Sequence, residues 1–387
     1  MDLERFPATT FGEARRTFGR HGYVAYFPAQ IPRRLELTPS TISLLAEAES
    51  SLGRLFGVGL LLPDPELLTA AYVLREAVSS TRIEGTRSTM AEVLAFGAAG
   101  GTPSADVEEV LDYVDALKWG LSELDRLPLS VRLLRDIHRR LLSGIRGRER
   151  GPGDLRRSQN WIGGPNSTIE TASFVPPPAD EIAALLTDWE RFAHEELEMP
   201  VLIQNALLHA QLETIHPFLD GNGRLGRLVL VLFLVARGRL GAPLLYLSAH
   251  LERERTRYYE ALSAVRERGD PSPWLELFLS AVADEAQDAV LRAGRIVALR
   301  EQCRRAAATM GTANGSALVD LICENPLVTT RAVEMRLGVT RPTALRLLRG
   351  LEDRGVLTEG ATGPRGQRRY VAAELMAAVT DDHTTSR

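Results

Sequence analysis

One stretch of twelve residues concentrates the side chains that could carry out chemistry. From His216 to Arg227 the sequence is HPFLDGNGRLGR, with an imidazole, a carboxylate, an amide and two guanidinium groups. Apolar sequence of helical character flanks it on both sides, so we expect a glycine-rich turn that leads into a helix N-terminus. The free N–H groups of such a turn attract anions, and two arginines three residues apart lie on one helical face. The pattern predicts a site that handles phosphate.

Two simpler interpretations of this stretch explain less of it. The glycines at 221, 223 and 226 have the spacing of a dinucleotide-binding fingerprint, but that fingerprint follows a β-strand, and here a helix precedes it. A plain turn between two helices accounts for the glycines alone. It leaves the imidazole, the carboxylate, the amide and both guanidinium groups without a role.

The third interpretation is a site that transfers a nucleotide from a nucleoside triphosphate to a hydroxyl group. Such a transfer needs a base near neutral pH, and His216 can serve. It needs a divalent metal ion, and Asp220 is the only carboxylate in the stretch. It also needs fixed positive charge, which Arg224 and Arg227 supply together with the backbone amides of Gly221–Gly223.

The complete stretch resembles the signature of the Fic (Fic/DOC) family, His-Pro-Phe-x-Asp/Glu-Gly-Asn-Gly-Arg-x-x-Arg, with every position filled. The resemblance implies adenylylation (AMPylation), in which AMP passes from ATP to a Ser, Thr or Tyr hydroxyl of a protein, this chain included, and pyrophosphate is released. It implies that His216 is the general base and that Asp220 holds Mg²⁺. Asn222 and the nearby backbone would form an anion hole. The residues implied in binding ATP and its phosphates are Gly221, Asn222, Gly223, Arg224, Leu225, Gly226 and Arg227.

One position of the signature bears on the type of transfer. Doc-type kinases of this family carry Lys where this chain has Gly223. The glycine therefore favours nucleotidyl transfer over phosphorylation.

A second segment, Ser80–Gly85, places a Ser/Thr cluster and Glu84 at the end of helical sequence. Taken alone, it is a helix end with a solvated acid. It resembles, however, the inhibitory motif Ser/Thr-x-x-x-Glu-Gly/Asn of the same family, in the self-inhibited class whose inhibitory helix precedes the catalytic motif. The resemblance implies that Glu84, with Ser80 in the motif, pairs with Arg227 and so keeps ATP from binding productively.

Further resemblances concern the nucleotide and the target. Tyr258 and Tyr259 are similar to the paired tyrosines that line the family's adenine pocket, and Arg266 stands where some relatives have an Asn that contacts the nucleotide. Residues 146–178 are rich in glycine, proline and small polar residues, and we expect a β-hairpin flap there. Within it, the segment that resembles the family's target-docking flap consists of Asn160, Trp161, Ile162 and Gly163.

The elements that must position these residues are predicted to be mainly helices. The predicted fold is mainly α: a Fic-type helical core with a small β-hairpin flap, followed by a C-terminal winged-helix (α+β) domain. We expect an N-terminal arm and inhibitory-helix region at residues 1–100 and the catalytic domain at 101–310. The winged helix-turn-helix domain is expected at 316–375 and a disordered tail at 376–387.

The C-terminal pattern predicts two helices joined by a tight turn at Gly338, then a two-stranded wing. Arginines on the second helix could contact DNA phosphates, although a winged helix can also bind protein. The arginines concerned are Arg341, Arg346 and Arg349 on that helix and Arg365, Arg368 and Arg369 in the wing. An ATP-sensing DNA-binding regulator is therefore an alternative to AMPylation, as is an enzyme that removes AMP from targets at the same site.

Composition narrows the partners and the compartment. The 387 residues carry a net charge of −4, 44% hydrophobic and 25% charged residues, and only two cysteines, too few for a disulfide framework or a zinc cluster. No apolar run reaches the roughly 18–20 residues of a membrane span, and no signal-peptide pattern is present. We expect a cytoplasmic protein with ATP, Mg²⁺ and a protein substrate as partners, and no membrane. The family resemblance also suggests a homodimer.

Overall fold

A computed structural model of the protein describes residues 1–18, 22–61, 65–144, 146–164, 166–241, 243–360 and 368–380. Helices make up most of it and the strands form two small antiparallel sheets, so the predicted mainly α fold is confirmed. In chain order the elements are β1 (Gly12–Arg16), β2 (Val24–Pro28), α1 (Pro39–Leu61), α2 (Pro65–Ile83), α3 (Met90–Ala99), α4 (Ala105–Glu123), α5 (Val131–Leu141), α6 (Ile182–His194), α7 (Val201–Ile215), α8 (Asn222–Ala236), α9 (Ser248–Arg253), α10 (Arg255–Arg268), α11 (Ser272–Ala308), α12 (Gly315–Glu324), β3 (Leu327–Thr329), α13 (Thr330–Leu337), α14 (Arg341–Glu352), β4 (Thr358–Gly360), β5 (Arg369–Val371) and α15 (Ala373–Thr380).

Helices α7 and α8 form the centre of the molecule. All of α7 except its first residue is buried, as expected for a helix with apolar residues on every face. Two of its buried amides donate to neighbouring backbone: Gln204 Nε2 to Phe192 O at 2.7 Å and Asn205 Nδ2 to Leu230 O at 3.0 Å. Polar side chains on this helix therefore fix its neighbours rather than face solvent.

A glycine allows α8 to approach α7 closely. A Cβ added at Gly226 would lie 2.6 Å from Glu213 Oε1 and 3.2 Å from His209 Cε1. At this approach His209 Nδ1 lies 3.0 Å from Gly226 O. The two helices that flank the glycine-rich turn are thus set in register by a contact that no larger residue permits.

Helix α2 runs through the Ser/Thr cluster and ends at Ile83. Thr81 Oγ1 donates to Ala77 O at 2.9 Å, a back-bond to the preceding turn that fits a helix interior. One turn earlier, buried Glu76 accepts hydrogen bonds from Tyr113 on α4 and from Ser248 at the start of α9. The end of α2 is therefore held between two other helices.

The N-terminal arm folds into a short hairpin that covers the flap. Strands β1 and β2 pair antiparallel, from Gly12 opposite Pro28 to Arg16 opposite Val24. Behind them the rings of Phe6, Tyr26 and Phe174 form an aromatic cluster with centroids 5.7–6.0 Å apart. The flap thus rests on the first residues of the chain.

The flap has less strand than predicted. Its two arms pair at a single antiparallel bridge, where Ile162 and Phe174 exchange backbone hydrogen bonds of 2.8 and 3.1 Å. Between them the chain closes into turns, in which Ser167 Oγ donates to Gly164 O at 2.7 Å. These local side-chain bonds to the backbone replace a regular ladder.

The C-terminal unit has the predicted order of helix, helix–turn–helix and two strands. β3 adds a third strand, so the sheet order is β3–β5–β4. Arg365 lies outside the described residues. The predicted tail is wrong for residues 376–380, which belong to α15. This segment is ordered because Leu375, Ala378 and Val379 recur at helical spacing and are buried. Residues 381–387 lie outside the described residues.

The C-terminal unit packs directly on the rest of the chain. Asn325 Nδ2 donates to Leu94 O at 3.2 Å and Thr329 Oγ1 to Ala98 O at 3.0 Å, both on α3. Helices α12 and α15 also contact α2. One continuous apolar core joins the two parts. Among the described helices, none combines the length and the apolar character needed to cross a membrane.

The close approach of α7 and α8 predicts a strong effect of bulk at Gly226. Gly226→Val is expected to lower the free energy of unfolding by about 2 kcal/mol, because the new side chain overlaps Glu213 and His209. Chemical denaturation followed by circular dichroism measures this. The control is Gly294→Ala on α11, where a Cβ meets nothing within 4 Å and the higher helix propensity of Ala should leave stability equal or slightly higher. Equal stability of Gly226→Val and wild type would contradict the packing.

Candidate active site

His216 ends α7 in an unusual backbone conformation. Its φ of 48° and ψ of 60° are left-handed, and among the described residues it is the only non-glycine with positive φ. Its N–H still donates to Leu212 O at 2.9 Å, so it serves as the helix C-cap. Residues other than glycine adopt this conformation at a cost, which the surrounding structure must over-determine.

The ring of His216 is neutral at physiological pH. Burial is the main cause that lowers its pKa to about 4, and the nearby guanidinium of Arg156 acts in the same direction. A neutral imidazole has a free lone pair and can accept a proton. The state of the ring is therefore the one that a general base requires.

Arg156 holds the start of the turn against the flap. Its side chain is almost fully buried, with Nε donating to His216 O at 2.9 Å and Nη2 to Pro177 O at 2.6 Å. Its backbone N–H donates to Pro217 O at 2.9 Å. Arg156 thus holds His216 in its left-handed conformation by linking the turn at His216 to the flap at Pro177.

Asn222 clamps the turn rather than facing a ligand. Its Oδ1 accepts the N–H of Phe218 at 2.9 Å and its Nδ2 donates to Phe218 O at 2.9 Å. Asn160 of the flap donates to the same carbonyl at 3.0 Å. Because its side-chain amide is committed to the loop, Asn222 could contribute only its backbone N–H to an anion hole, and the anion hole of Asn222 and the nearby backbone stays a prediction. The backbone N–H groups at the start of α8 keep the capacity to bind an anion.

His138, which the sequence did not mark as functional, supports the same turn. Its ring stacks on Phe218 with centroids 3.8 Å apart. The N–H of Gly153 donates to Nδ1 at 2.9 Å, so Nε2 carries the proton that is given to Asp220 O at 2.9 Å. No local signal pointed to this role, because the partners come from distant parts of the chain.

Asp220 lies at the mouth of the site with its side chain 48% exposed. Its Oδ1 accepts the N–H of Gly221 at 2.6 Å, and Gly221 has a φ of 75° that favours glycine. No cluster of three or more potential metal ligands occurs in the described part of the chain. A single open carboxylate fits Mg²⁺ that takes its other ligands from phosphates and water.

Arg227, Ser80 and Glu84 are brought together as the resemblance implied. The guanidinium of Arg227 is 2% exposed and receives partners only from the end of α2 among the described contacts: Ser80 Oγ at 2.8 Å, Ser80 O at 2.9 Å and Glu84 Oε1 at 2.7 Å. Gly223 makes room for this pair, since a Cβ there would lie 2.3 Å from Glu84 Oε1. A lysine at this position would meet the glutamate.

Arg224 and Leu225 follow on the first turn of α8. Arg224 is 6% exposed, with Nη1 3.4 Å from Glu109 Oε2 and Nη2 3.5 Å from Asp220 Oδ1. Leu225 is fully buried in the core. A phosphate-binding role for its side chain is therefore wrong, because the helix turns that position away from the site.

The two tyrosines differ in accessibility. Tyr258 is buried and lies 2.8 Å from His209 Nε2. Because the other ring nitrogen of His209 must donate its proton to Gly226 O, this hydroxyl is the donor. Tyr259 is 42% exposed and can meet a ligand, whereas Arg266 is 8% exposed and lies over the ring of Phe174 at 4.1 Å, beneath the flap.

The flap presents two apolar side chains to solvent beside the turn. Trp161 is 44% and Ile162 37% exposed. Trp161 Nε1 donates to Ser167 O at 3.0 Å, and Gly163 is packed so tightly that a Cβ would lie 2.2 Å from Ser167 Oγ. The flap segment is therefore ordered by local contacts while its apolar edge stays accessible.

Comparisons with known proteins find sequence matches to one family. A family model described as Fic/DOC family N-terminal matches residues 42–122, and one described as Fic/DOC family matches residues 128–234. The protein adenylyltransferase Fic of Drosophila yakuba is 29% identical over 226 residues, which cover 54% of this chain and 42% of the relative. The chain thus matches about two fifths of the length of this curated relative.

Solved structures share the fold. A Fic family protein from Desulfovibrio desulfuricans superimposes with a TM-score of 0.58 at 22% identity, over 87% of this chain and 97% of that one. A Fic domain containing signaling protein from Bacteroides thetaiotaomicron gives a TM-score of 0.51 at 21% identity, over 66% and 97% of the two chains. Residues 42–122 are thus similar to the N-terminal region of the Fic/DOC family, and residues 128–234 are a Fic/DOC family domain.

Proposed function

We propose that the protein is a protein adenylyltransferase that transfers AMP from ATP to a Ser, Thr or Tyr hydroxyl of a protein. The observation that carries the proposal is the juxtaposition of a neutral histidine with a phosphate cradle. His216 lies at one end of the turn, while Arg224 and Arg227 lie on the first turns of α8 at the other. A base and fixed positive charge within one short loop suit transfer to a hydroxyl.

In the proposed reaction the target hydroxyl attacks the α-phosphorus of ATP. A new P–O bond forms to the target, the bond from the α-phosphorus to the bridging oxygen breaks, and pyrophosphate leaves. His216 accepts the hydroxyl proton. Arg224, Arg227 and the N–H groups at the start of α8 hold the phosphates, and Mg²⁺ bound at Asp220 would neutralise phosphate charge.

The proposed resting state is autoinhibited by Glu84. Arg227 is nearly buried, and its partners among the described residues come from α2. A nucleotide phosphate that uses this guanidinium must displace the Glu84 carboxylate. Trp161 and Ile162, exposed on the flap beside His216, are proposed to align the target segment by strand addition.

A second candidate function is DNA binding by the C-terminal unit. It is favoured by three arginines, Arg341, Arg346 and Arg349, whose side chains are exposed on α14, the second helix of the helix–turn–helix. Such a helix can lie against the DNA phosphates or in the major groove. We propose this as an additional property of the chain, since it uses no residue of the catalytic site.

Removing the Glu84 carboxylate should activate the enzyme. Glu84→Gly is expected to raise AMP incorporation from labelled ATP with Mg²⁺ by about tenfold or more, because Arg227 becomes free for phosphate; tenfold corresponds to about 1.4 kcal/mol. Adding His216→Ala should abolish the labelling. The control is Glu324→Gln, which removes a carboxylate from a surface ion pair with Arg336 at 2.9 Å. Labelling of Glu84→Gly at the wild-type level would disprove the inhibitory role.

The protonation state of His216 can be measured directly. With a pKa lowered to about 4 by burial, the ring should stay neutral and its chemical shift constant between about pH 7.5 and pH 5.5. An ordinary histidine, with a pKa of about 6.5, shifts strongly over this range. NMR of the histidine-labelled protein gives the titration, His216→Asn assigns the signal, and the urea-unfolded chain is the control. A midpoint near 6.5 in the folded protein would be incompatible with a neutral buried base.

The DNA-binding candidate has its own test. The double variant Arg346→Gln/Arg349→Gln should weaken binding to duplex DNA regardless of sequence and reduce the salt slope by about 2, one for each phosphate contact. Fluorescence anisotropy across salt concentrations measures both. Arg305→Gln, an exposed arginine of α11 that pairs with Glu301, should bind like wild type. Identical salt slopes for the wild type and the double variant would reject DNA binding through α14.

A further inference from the structure

Arg224 has a carboxylate partner that the catalytic signature does not contain. Glu109, on α4, places Oε2 3.4 Å from Arg224 Nη1. Both side chains are largely shielded, with 7% of Arg224 and 18% of Glu109 exposed. The pair therefore resembles the Glu84–Arg227 pair: each phosphate-binding guanidinium of α8 faces a carboxylate from a different helix.

A polar chain fixes Glu109 in this position. Arg146 donates to Glu109 Oε1 at 3.0 Å and to Asp106 Oδ1 at 2.7 Å. The other oxygen of Asp106 accepts the backbone N–H of Arg87 at 2.9 Å, three residues after Glu84. Glu109 is thus tied to the segment that follows the end of α2.

Both carboxylates open onto the same space. A cavity of about 410 Å³ beside the turn is lined by Glu84, Glu109, Asp220 and Arg224, among other residues. It lies next to the carboxylate expected to hold Mg²⁺ and to the backbone N–H groups at the start of α8. The phosphates of a bound nucleotide would enter this cavity, and they are the ligands that would compete for Arg224.

We propose that Glu109 holds Arg224 in the resting chain and competes with nucleotide phosphate for it. The inference rests on the proposed function, since it concerns the same nucleotide site. It adds a second carboxylate to the one carried by α2 and makes ATP affinity depend on α4. Because Arg224 is nearly buried, a phosphate and the Glu109 carboxylate at the same guanidinium would repel each other in a shielded space, so phosphate binding opposes the Glu109 contact.

The competition predicts a change in affinity that depends on phosphate. In a His216→Ala/Glu84→Gln background, which binds nucleotide without turnover, adding Glu109→Gln should lower the Kd for ATP with Mg²⁺ about fivefold. This is the size expected for removing one ion pair of this exposure. The Kd for adenosine, which has no phosphate, should not change. Isothermal titration calorimetry measures both.

A matched control separates the ion pair from the general charge of the cavity. Asp112→Asn removes another carboxylate that lines the same cavity and bonds Ser143 Oγ at 2.7 Å and Gly144 N at 2.9 Å. It should change the Kd for ATP much less than Glu109→Gln. An equal effect of both variants, or an ATP affinity unchanged or weakened by Glu109→Gln, overturns the proposal. Thermal melts of all variants show whether they are folded.

A kinetic measurement completes the test. With His216 restored, Glu84→Gln/Glu109→Gln should have a KM for ATP about fivefold below that of Glu84→Gln, with kcat unchanged. A fall in kcat would instead mean that Glu109 places Arg224 for the reaction and would also overturn the proposal. If the Glu84→Gln background binds no ATP at all, the proposed function fails. If it binds ATP and Glu109→Gln adds nothing, only this inference fails.

Discussion

The buried guanidinium of Arg227 is the constraint on which the rest of the site depends. A charge with 2% of its surface exposed is costly unless a partner satisfies it, and here Ser80 and Glu84 do so. Because both belong to the end of α2, this requirement draws α2 onto the start of α8. The same pairing requires a glycine at position 223, since a side chain there would occupy the space of the Glu84 carboxylate. In the proposed function Arg227 also binds a nucleotide phosphate, and this phosphate must displace the Glu84 carboxylate.

Around this pair the backbone of the turn is held by groups outside the catalytic signature. Arg156 fixes the carbonyl of His216, and His138 fixes that of Asp220. Both polar atoms of the Asn222 side chain form hydrogen bonds with the backbone of Phe218. A loop anchored at several points holds its free N–H groups in a fixed direction. The loop therefore does not have to become ordered when an anion binds. The strained conformation of His216 is maintained by the same bonds.

Helix α2 also joins the site to the C-terminal unit. One end of it bonds Arg227, while α12 and α15 pack against it. We expected a domain boundary between residues 311 and 315. The residues before and after it share one continuous apolar core, so the two parts are packed together. The exposed arginines of α14 lie in the same C-terminal unit as α12 and α15, which contact α2.

The sequence by itself indicated the family and the chemistry that we propose, because the signature is contiguous. It also indicated the mainly α fold, since the apolar periodicity of α4 and α5 and the apolar run of α7 are local features of the sequence. Only the tertiary structure decided which way the side chains of Asn222 and Leu225 face, that the flap pairs at a single bridge, and that His138 supports the turn. These outcomes depend on partners far along the chain, which meet only when helices pack, and spacing along one element carries no information about such contacts.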